Sequence, residues 1–227
     1  MFWQEDEETP AIGIADDIVD VLFNLDCRSI PVDHAYALSR ALLAAAPWLE
    51  EPGCGIHSIH VAGSQNGWER PTHGGDQHLL LSRRTKLSIR VPRAKMDALR
   101  AALEGRTLDI AGAPLGIGNA KPRPLGREGT IFSRYVAGPP GVDEDAFLRW
   151  AADTLAEMGI RVRKALCGKT TRLATPDGPI ETRSLMLADL PPEESLLLQQ
   201  RGLGPYRAMG CGLFIPHKGI DAVHKPK

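Results

Sequence analysis

Apolar positions recur along the chain with two periods, about 2 and about 3.6, and the switches between them mark strands and helices. DIVDVLFNL (Asp17 to Leu25) reads as a strand. PVDHAYALSRALLAAA (Pro31 to Ala46) reads as a helix: Pro31 suits a first turn, Asp33 suits the positive end, and Ala35, Leu38, Leu42, Ala45 and Leu49 fall at helical spacing. Pro47 ends it. A glycine-rich, histidine-containing connection follows from Gly53 to Gln77, with a strand expected around Ile56 to Ala62. TKLSIRVP then alternates, Leu87, Ile89 and Val91 on one face and Lys86, Ser88 and Arg90 on the other, which predicts a half-buried strand with a basic outer face.

The same plan occurs twice. SIRVPRAKMDALRAALEG (Ser88 to Gly105) and SLMLADLPPEESLLLQQRG (Ser184 to Gly202) both read strand, proline, amphipathic helix, glycine. VLFNL leading to VDHAYAL is matched by IFSRYVA leading to VDEDAFL about 110 residues later. Each half therefore reads βαββαβ, and the expected fold class is α+β, two tandem ferredoxin-like (RRM-like) domains. The expected boundaries are an acidic tail at 1–16, an N-terminal domain at 17–125, a C-terminal domain at 126–218 and a tail at 219–227. The linker is expected within KPRPLGREG, Lys121 to Gly129.

Composition is that of a globular protein: 227 residues, 43% hydrophobic and 24% charged. No apolar run approaches the roughly 18 residues of a membrane helix, and the acidic start lacks the basic end of a signal peptide, so a cytoplasmic location away from membranes is expected. The four cysteines are far apart and suggest reduced, structural thiols. The net charge of −1 hides an asymmetry: residues 1–80 hold 3 Lys+Arg against 13 Asp+Glu, whereas 81–227 hold 24 against 15. Such a basic half can attract a polyanion.

The run GLGPYRAMGCGLFIP, Gly202 to Pro216, sets four glycines around one basic residue. Glycines allow positive φ and a close approach to backbone N–H groups, and phosphate is the guest this suggests. A dinucleotide fingerprint would follow a strand and open a helix, whereas this run follows a helix and leads into a strand. CGKTT lacks the earlier glycine of a phosphate-binding P-loop, since that position is Arg163.

This glycine run, with Arg207 inside it and GCGLF at its exit, resembles the C-terminal glycine-rich loop of the CRISPR repeat-RNA processing endoribonucleases. LFNLDCRSIPVDHAYALSRAL and the tandem layout extend the resemblance over about Asp17 to Lys218. It implies metal-independent cleavage of precursor RNA at the base of a repeat hairpin, with no cofactor. The partners it implies are the hairpin, the processed guide RNA and other subunits of a CRISPR effector complex.

Such cleavage needs a base for the 2′-hydroxyl, an acid for the leaving 5′-oxygen and positive charge for the phosphorane. His34, near the first helix as in that family, is the expected catalytic histidine, about 60° from the centre of the apolar stripe and able to reach solvent. Arg40 is its expected cationic partner, although six residues place it about 120° around the helix. Tyr36, Lys86, Arg207 and Lys218 are alternatives. Cys54, His57 and His60 form C-x-x-H-x-x-H, a rival metal reading with His73 and His78 in reserve. Strand geometry would aim residues three apart to opposite faces, so no metal is assigned. Arg84, Lys86, Arg90, Arg163 and Lys164 are expected to track the RNA backbone, together with Gly202, Gly204, Arg207, Gly210 and Gly212 of the loop. The readings left beside cleavage are a non-cleaving RNA-binding subunit and a small-molecule enzyme with a nucleotide in the glycine loop.

Overall fold

The computed structural model describes residues 17–60 and 77–217. The predicted tails, His73, Lys218 and most of the glycine-rich connection lie outside the described residues.

The first unit contains β1 (Ile18–Asp26), β2 (Ser29–Pro31), α1 (Ala35–Ala45), β3 (Gly55–Ile56), β4 (His78–Leu80), β5 (Lys86–Pro92), α2 (Met96–Leu103), β6 (Thr107–Ile110) and β7 (Ala113–Pro124). The second contains β8 (Ile131–Val136), α3 (Glu144–Glu157), β9 (Lys164–Leu173), β10 (Ile180–Ala188), α4 (Pro192–Arg201) and β11 (Ile215–Pro216). The sheets run β3-β5-β1-β7-β6 and β11-β8-β10-β9, with every ladder antiparallel. In each, the unit's last strand lies beside its first, its third on the other side, and its second beyond the third. That is the ferredoxin-like order, made twice as the internal repeat predicts. The hairpin strand β6 and the small β2-β4 sheet are additions to it.

Alternation accounts for the cores. Val19, Val21 and Phe23 of β1 and Leu87, Ile89 and Val91 of β5 are buried beneath α1 and α2, with Leu38, Leu42, Leu99 and Leu103 closing over them. In the second unit Ile131, Leu185 and Leu187 meet Phe147, Leu155 and Leu198. Asp143 caps α3 by accepting from the Ala146 N–H at 2.8 Å, and Gly202 ends α4 with φ of +72°.

Three expectations are corrected. Pro31 belongs to β2, opposite His78, because neighbouring Ile30 is drawn wholly into the core by strand pairing; α1 therefore starts four residues later, after His34. The strand expected at Ile56 to Ala62 is only Gly55–Ile56 within the described residues. Lys121 to Pro124 is not linker but the end of β7, paired with β1 from Leu22 to Val19, so the connection begins at Leu125.

Candidate functional site

The two units meet where the C-terminal glycine run crosses the N-terminal sheet. Arg90 is fully buried there. Its Nε and Nη2 donate to Asp20 at 2.8 and 3.1 Å, and its Nη1 donates to the carbonyls of Gln199 and Phe214 at 2.7 and 3.0 Å. Arg123 adds a 3.0 Å bond to Asp20, and His57 Nε2 stands 3.5 Å from the same carboxylate. Burial alone would raise the Asp20 carboxyl, but the Arg90 guanidinium and the adjacent His57 ring hold it far below the usual range. Burial pushes the neighbouring His57 down. Arg90 thus ties one unit to the other and is removed from the expected RNA-tracking set.

Arg207 is similarly occupied. Its Nε donates to the Cys54 carbonyl at 2.9 Å, and its Nη groups bond the Gln200 and Arg201 carbonyls at the end of α4. Burial, with Arg90 nearby, lowers its pKa to about 10. A guanidinium shared among three carbonyls is a helix cap and a strap between units, which corrects its expected role as a phosphate ligand.

The glycines do take positive φ, from +67° to +83° at Gly202, Gly204, Gly210 and Gly212. What approaches them is protein. A Cβ would meet Gly212 O at 2.7 Å from Gly202, Ala137 O at 2.5 Å from Gly204, Ser58 Oγ at 2.6 Å from Gly210 and Leu203 O at 2.1 Å from Gly212. The N–H groups of Gly202, Leu203, Gly210, Cys211 and Gly212 donate to Leu198, Gly212, Arg207, Tyr206 and Tyr135 carbonyls. The expected cradle of N–H groups around phosphate is therefore filled by the fold itself, and the nucleotide-in-the-loop reading loses its basis. Between Gly202 and Gly212 only the tip, Gly204, Pro205 and Tyr206, is exposed.

That tip borders a groove of about 600 Å³ between the units, whose walls include Tyr36, Tyr206, Met209, Thr175, Asp177 and Glu181. The N-terminal end of α1 is pinned beside it: Ala35 packs with Tyr135, Ala137 and Cys211, and Asp33 Oδ2 accepts from the Ala174 N–H at 3.0 Å. Asp33 thus serves the junction between units.

His34 lies just behind. Its ring is 3% exposed, against the expectation that it reaches solvent. Nδ1 is 2.9 Å from the Pro31 carbonyl, and the Ile59 N–H donates to Nε2 at 3.0 Å. This pattern assigns the neutral tautomer with the proton on Nδ1 and the lone pair on Nε2. Arg40 is exposed, about 9 Å further along the helix axis, and does not line the groove. Of its alternatives, Tyr36 alone lines the groove among the described residues.

The remaining basic residues are peripheral. Arg84 and Arg163 are exposed, Lys86 bonds Asn24, and Lys164, 69% exposed, pairs with Asp189 at 2.9 Å. In C-x-x-H-x-x-H, Cys54 and His57 are turned inward while His60 is exposed beside the Tyr135 ring, and no metal-ligand cluster occurs among the described residues. Sequence reasoning missed Asp20 and Tyr206. Their signals were an acid inside an otherwise apolar strand and an aromatic inside the glycine run.

Fold and groove define a class: tandem ferredoxin-like proteins whose C-terminal glycine loop locks the two sheets together. A solved structure of a CRISPR-associated protein Cas6 shares this fold with a TM-score of 0.60 at 12% identity, covering 89% of this chain and all of that one. A Cas6-related protein from Pyrococcus furiosus matches with a TM-score of 0.55 at 14% identity, over 87% of this chain and 97% of its own. A RAMP protein that binds different RNA substrates matches at 0.54 and 15%, over 87% and 98%. The chain belongs to the Cas6 family of CRISPR repeat-processing endoribonucleases: the family model described as Cas6 Crispr matches residues 19–219. The CRISPR-associated endonuclease Cas6 of Myxococcus xanthus (strain DK1622) is 31% identical over 199 residues, 87% of this chain and 81% of that protein. Among the described residues no helix is long and apolar enough to cross a membrane.

Proposed function

We propose that this protein is an endoribonuclease that cuts CRISPR precursor RNA within its repeats by attack of the RNA's own 2′-hydroxyl, without metal. The products are a 2′,3′-cyclic phosphate and a 5′-hydroxyl, and the guide RNA stays bound as the protein enters an effector complex. The observation that carries this reading is the state of His34, whose Nδ1–H is spent on the Pro31 carbonyl so that the basic lone pair sits on Nε2, at the groove end of α1. RNA entering the groove exchanges the Ile59 N–H bond for the 2′-hydroxyl; Nε2 takes that proton as the 2′-oxygen attacks phosphorus, the P–O5′ bond breaks, and the leaving 5′-oxygen is protonated by water. Breaking one buried bond costs about 1–3 kcal/mol, which phosphate contacts elsewhere offset. Tyr36 donates its hydroxyl to a phosphate oxygen, taking the part expected of Arg40.

A second reading, an RNA-holding subunit without cleavage, is favoured by two observations: Nε2 is occupied, and among the described residues no lysine or arginine lines the groove. Hairpin repeat RNA incubated in EDTA separates the two. Cleavage is expected in EDTA, and a single 2′-deoxynucleotide before the scissile phosphate should abolish it while binding survives. His34→Ala should lower the rate by roughly 10²- to 10⁴-fold with hairpin affinity kept within a few-fold. Retention of intact RNA by the wild type supports the second reading. Cutting of the deoxy substrate, lost in EDTA, points instead to a metal-activated water.

A further inference from the structure

We propose that Tyr206 is a stacking platform and that the groove beside it takes one unpaired nucleobase of the RNA, adjacent to the hairpin. This rests on the RNA reading above.

The first support is conformational. Tyr206 has φ of +65° and ψ of +36°, left-handed backbone that a residue with a Cβ adopts at a cost, in a loop that uses glycine at four other such positions. The conformation is enforced, since the Tyr206 carbonyl accepts from the N–H groups of Met209 and Cys211 at 2.9 and 3.2 Å. Yet the residue that brings the strain is 50% exposed, and every other phenylalanine, tyrosine and tryptophan among the described residues is at least partly buried. A strained position that displays a ring rather than burying it gains nothing for the core, so its use lies in what the ring meets.

The second support is the chemistry of the groove. Tyr36 faces it from the other unit, Met209, Pro140 and Pro179 add apolar surface, and among the described residues none that lines it is lysine or arginine. Beyond the Tyr36 hydroxyl, two carboxylates on the far wall repel a phosphate. The groove's charged groups are carboxylates, which accept: Asp177 is exposed on the β9-β10 turn, and Glu181 is held ionised by Arg172 at 2.9 Å and by the Gly141 N–H. An aromatic face with carboxylates at its edge suits a flat, neutral ring bearing an exocyclic amino group, which describes adenine, cytosine and guanine better than uracil. Tyr36 lies two residues from His34, so a base in this slot belongs to the nucleotide next to the cleaved phosphate.

The test uses hairpin RNAs made uncleavable by one 2′-deoxynucleotide, with and without unpaired flanking nucleotides, and with 2-aminopurine placed at each flanking position in turn. Wild-type protein should quench the fluorophore at one position and bind the flanked hairpin more tightly than the trimmed one. Tyr206→Phe should keep both properties. Tyr206→Gly, which suits the backbone and therefore leaves the fold at least as stable, should lose the quenching and bind the flanked hairpin about tenfold more weakly, with affinity for the trimmed hairpin unchanged. The slot is overturned if Tyr206→Gly matches the wild type on both RNAs, or weakens both equally. Wild-type protein that binds neither RNA overturns the RNA reading itself.

Discussion

Arg90 and Asp20 form a buried pair with bonds of 2.8 and 3.1 Å, and the arginine's remaining contacts go to two carbonyls of the other unit, Gln199 and Phe214. One side chain therefore couples the core of the first sheet to the end of α4. The walls of the groove stay in register because this tie and the Arg207 strap fix one unit on the other.

Arg90→Ala leaves Asp20 buried beside Arg123 and His57 and orphans two carbonyls. A loss of about 3–5 kcal/mol in unfolding free energy is expected by urea titration, because the removed charge had a desolvated partner. Arg90→Lys should recover only part, lacking the planar fork. Loss of RNA affinity in Arg90→Ala without loss of stability would return Arg90 to the RNA-contacting set.

Burial lowers the pKa of His57, so near and below its ordinary value of about 6.5 the unfolded chain takes up a proton that the folded chain does not. Stability should therefore fall as pH drops below about 6.5, down to the folded-state pKa. His57→Gln should flatten that part of the profile in urea midpoints between pH 5 and 7; an unchanged slope would show that His57 titrates normally.

Gly210→Ala sets a Cβ 2.6 Å from Ser58 Oγ and 3.2 Å from Ile56 O, at φ of +83°. Gly105 has a similar φ of +78° with nothing within 4 Å. Gly105→Ala should cost about 1–2 kcal/mol from backbone strain alone, and Gly210→Ala clearly more, read from paired melting curves. Equal costs would mean that the junction between the units yields at no expense.

Arg163 and Lys164 are exposed at the start of β9. Replacing both with alanine should weaken RNA binding similarly for different hairpin sequences and reduce the slope of log K against log salt by about 1–2. An unaltered salt slope would make this end of β9 plain solvated surface.

Much of the architecture was legible before any coordinates, because strand alternation and helix spacing are local consequences of where a side chain points along the backbone. Leu38, Ile89 and Val91 reached the core their spacing predicts, and the duplicated pattern carried the ferredoxin-like order into both sheets. The glycine run announced its left-handed backbone for the same reason: the φ demand belongs to the residue itself.

What those residues touch was decided only in three dimensions. Arg90 and Arg207 read as surface cations, and their burial follows from carbonyls supplied more than 100 residues away in each case. The glycines make room for Ser58, Ala137 and Leu203 rather than for phosphate. His34 was expected inside the first turn and stands just before α1, and its tautomer and closure come from Pro31 and Ile59, a strand end and a loop that no helical wheel includes. Periodicity gives the direction of a side chain, and the partner waiting there is a property of chain packing over long sequence separations.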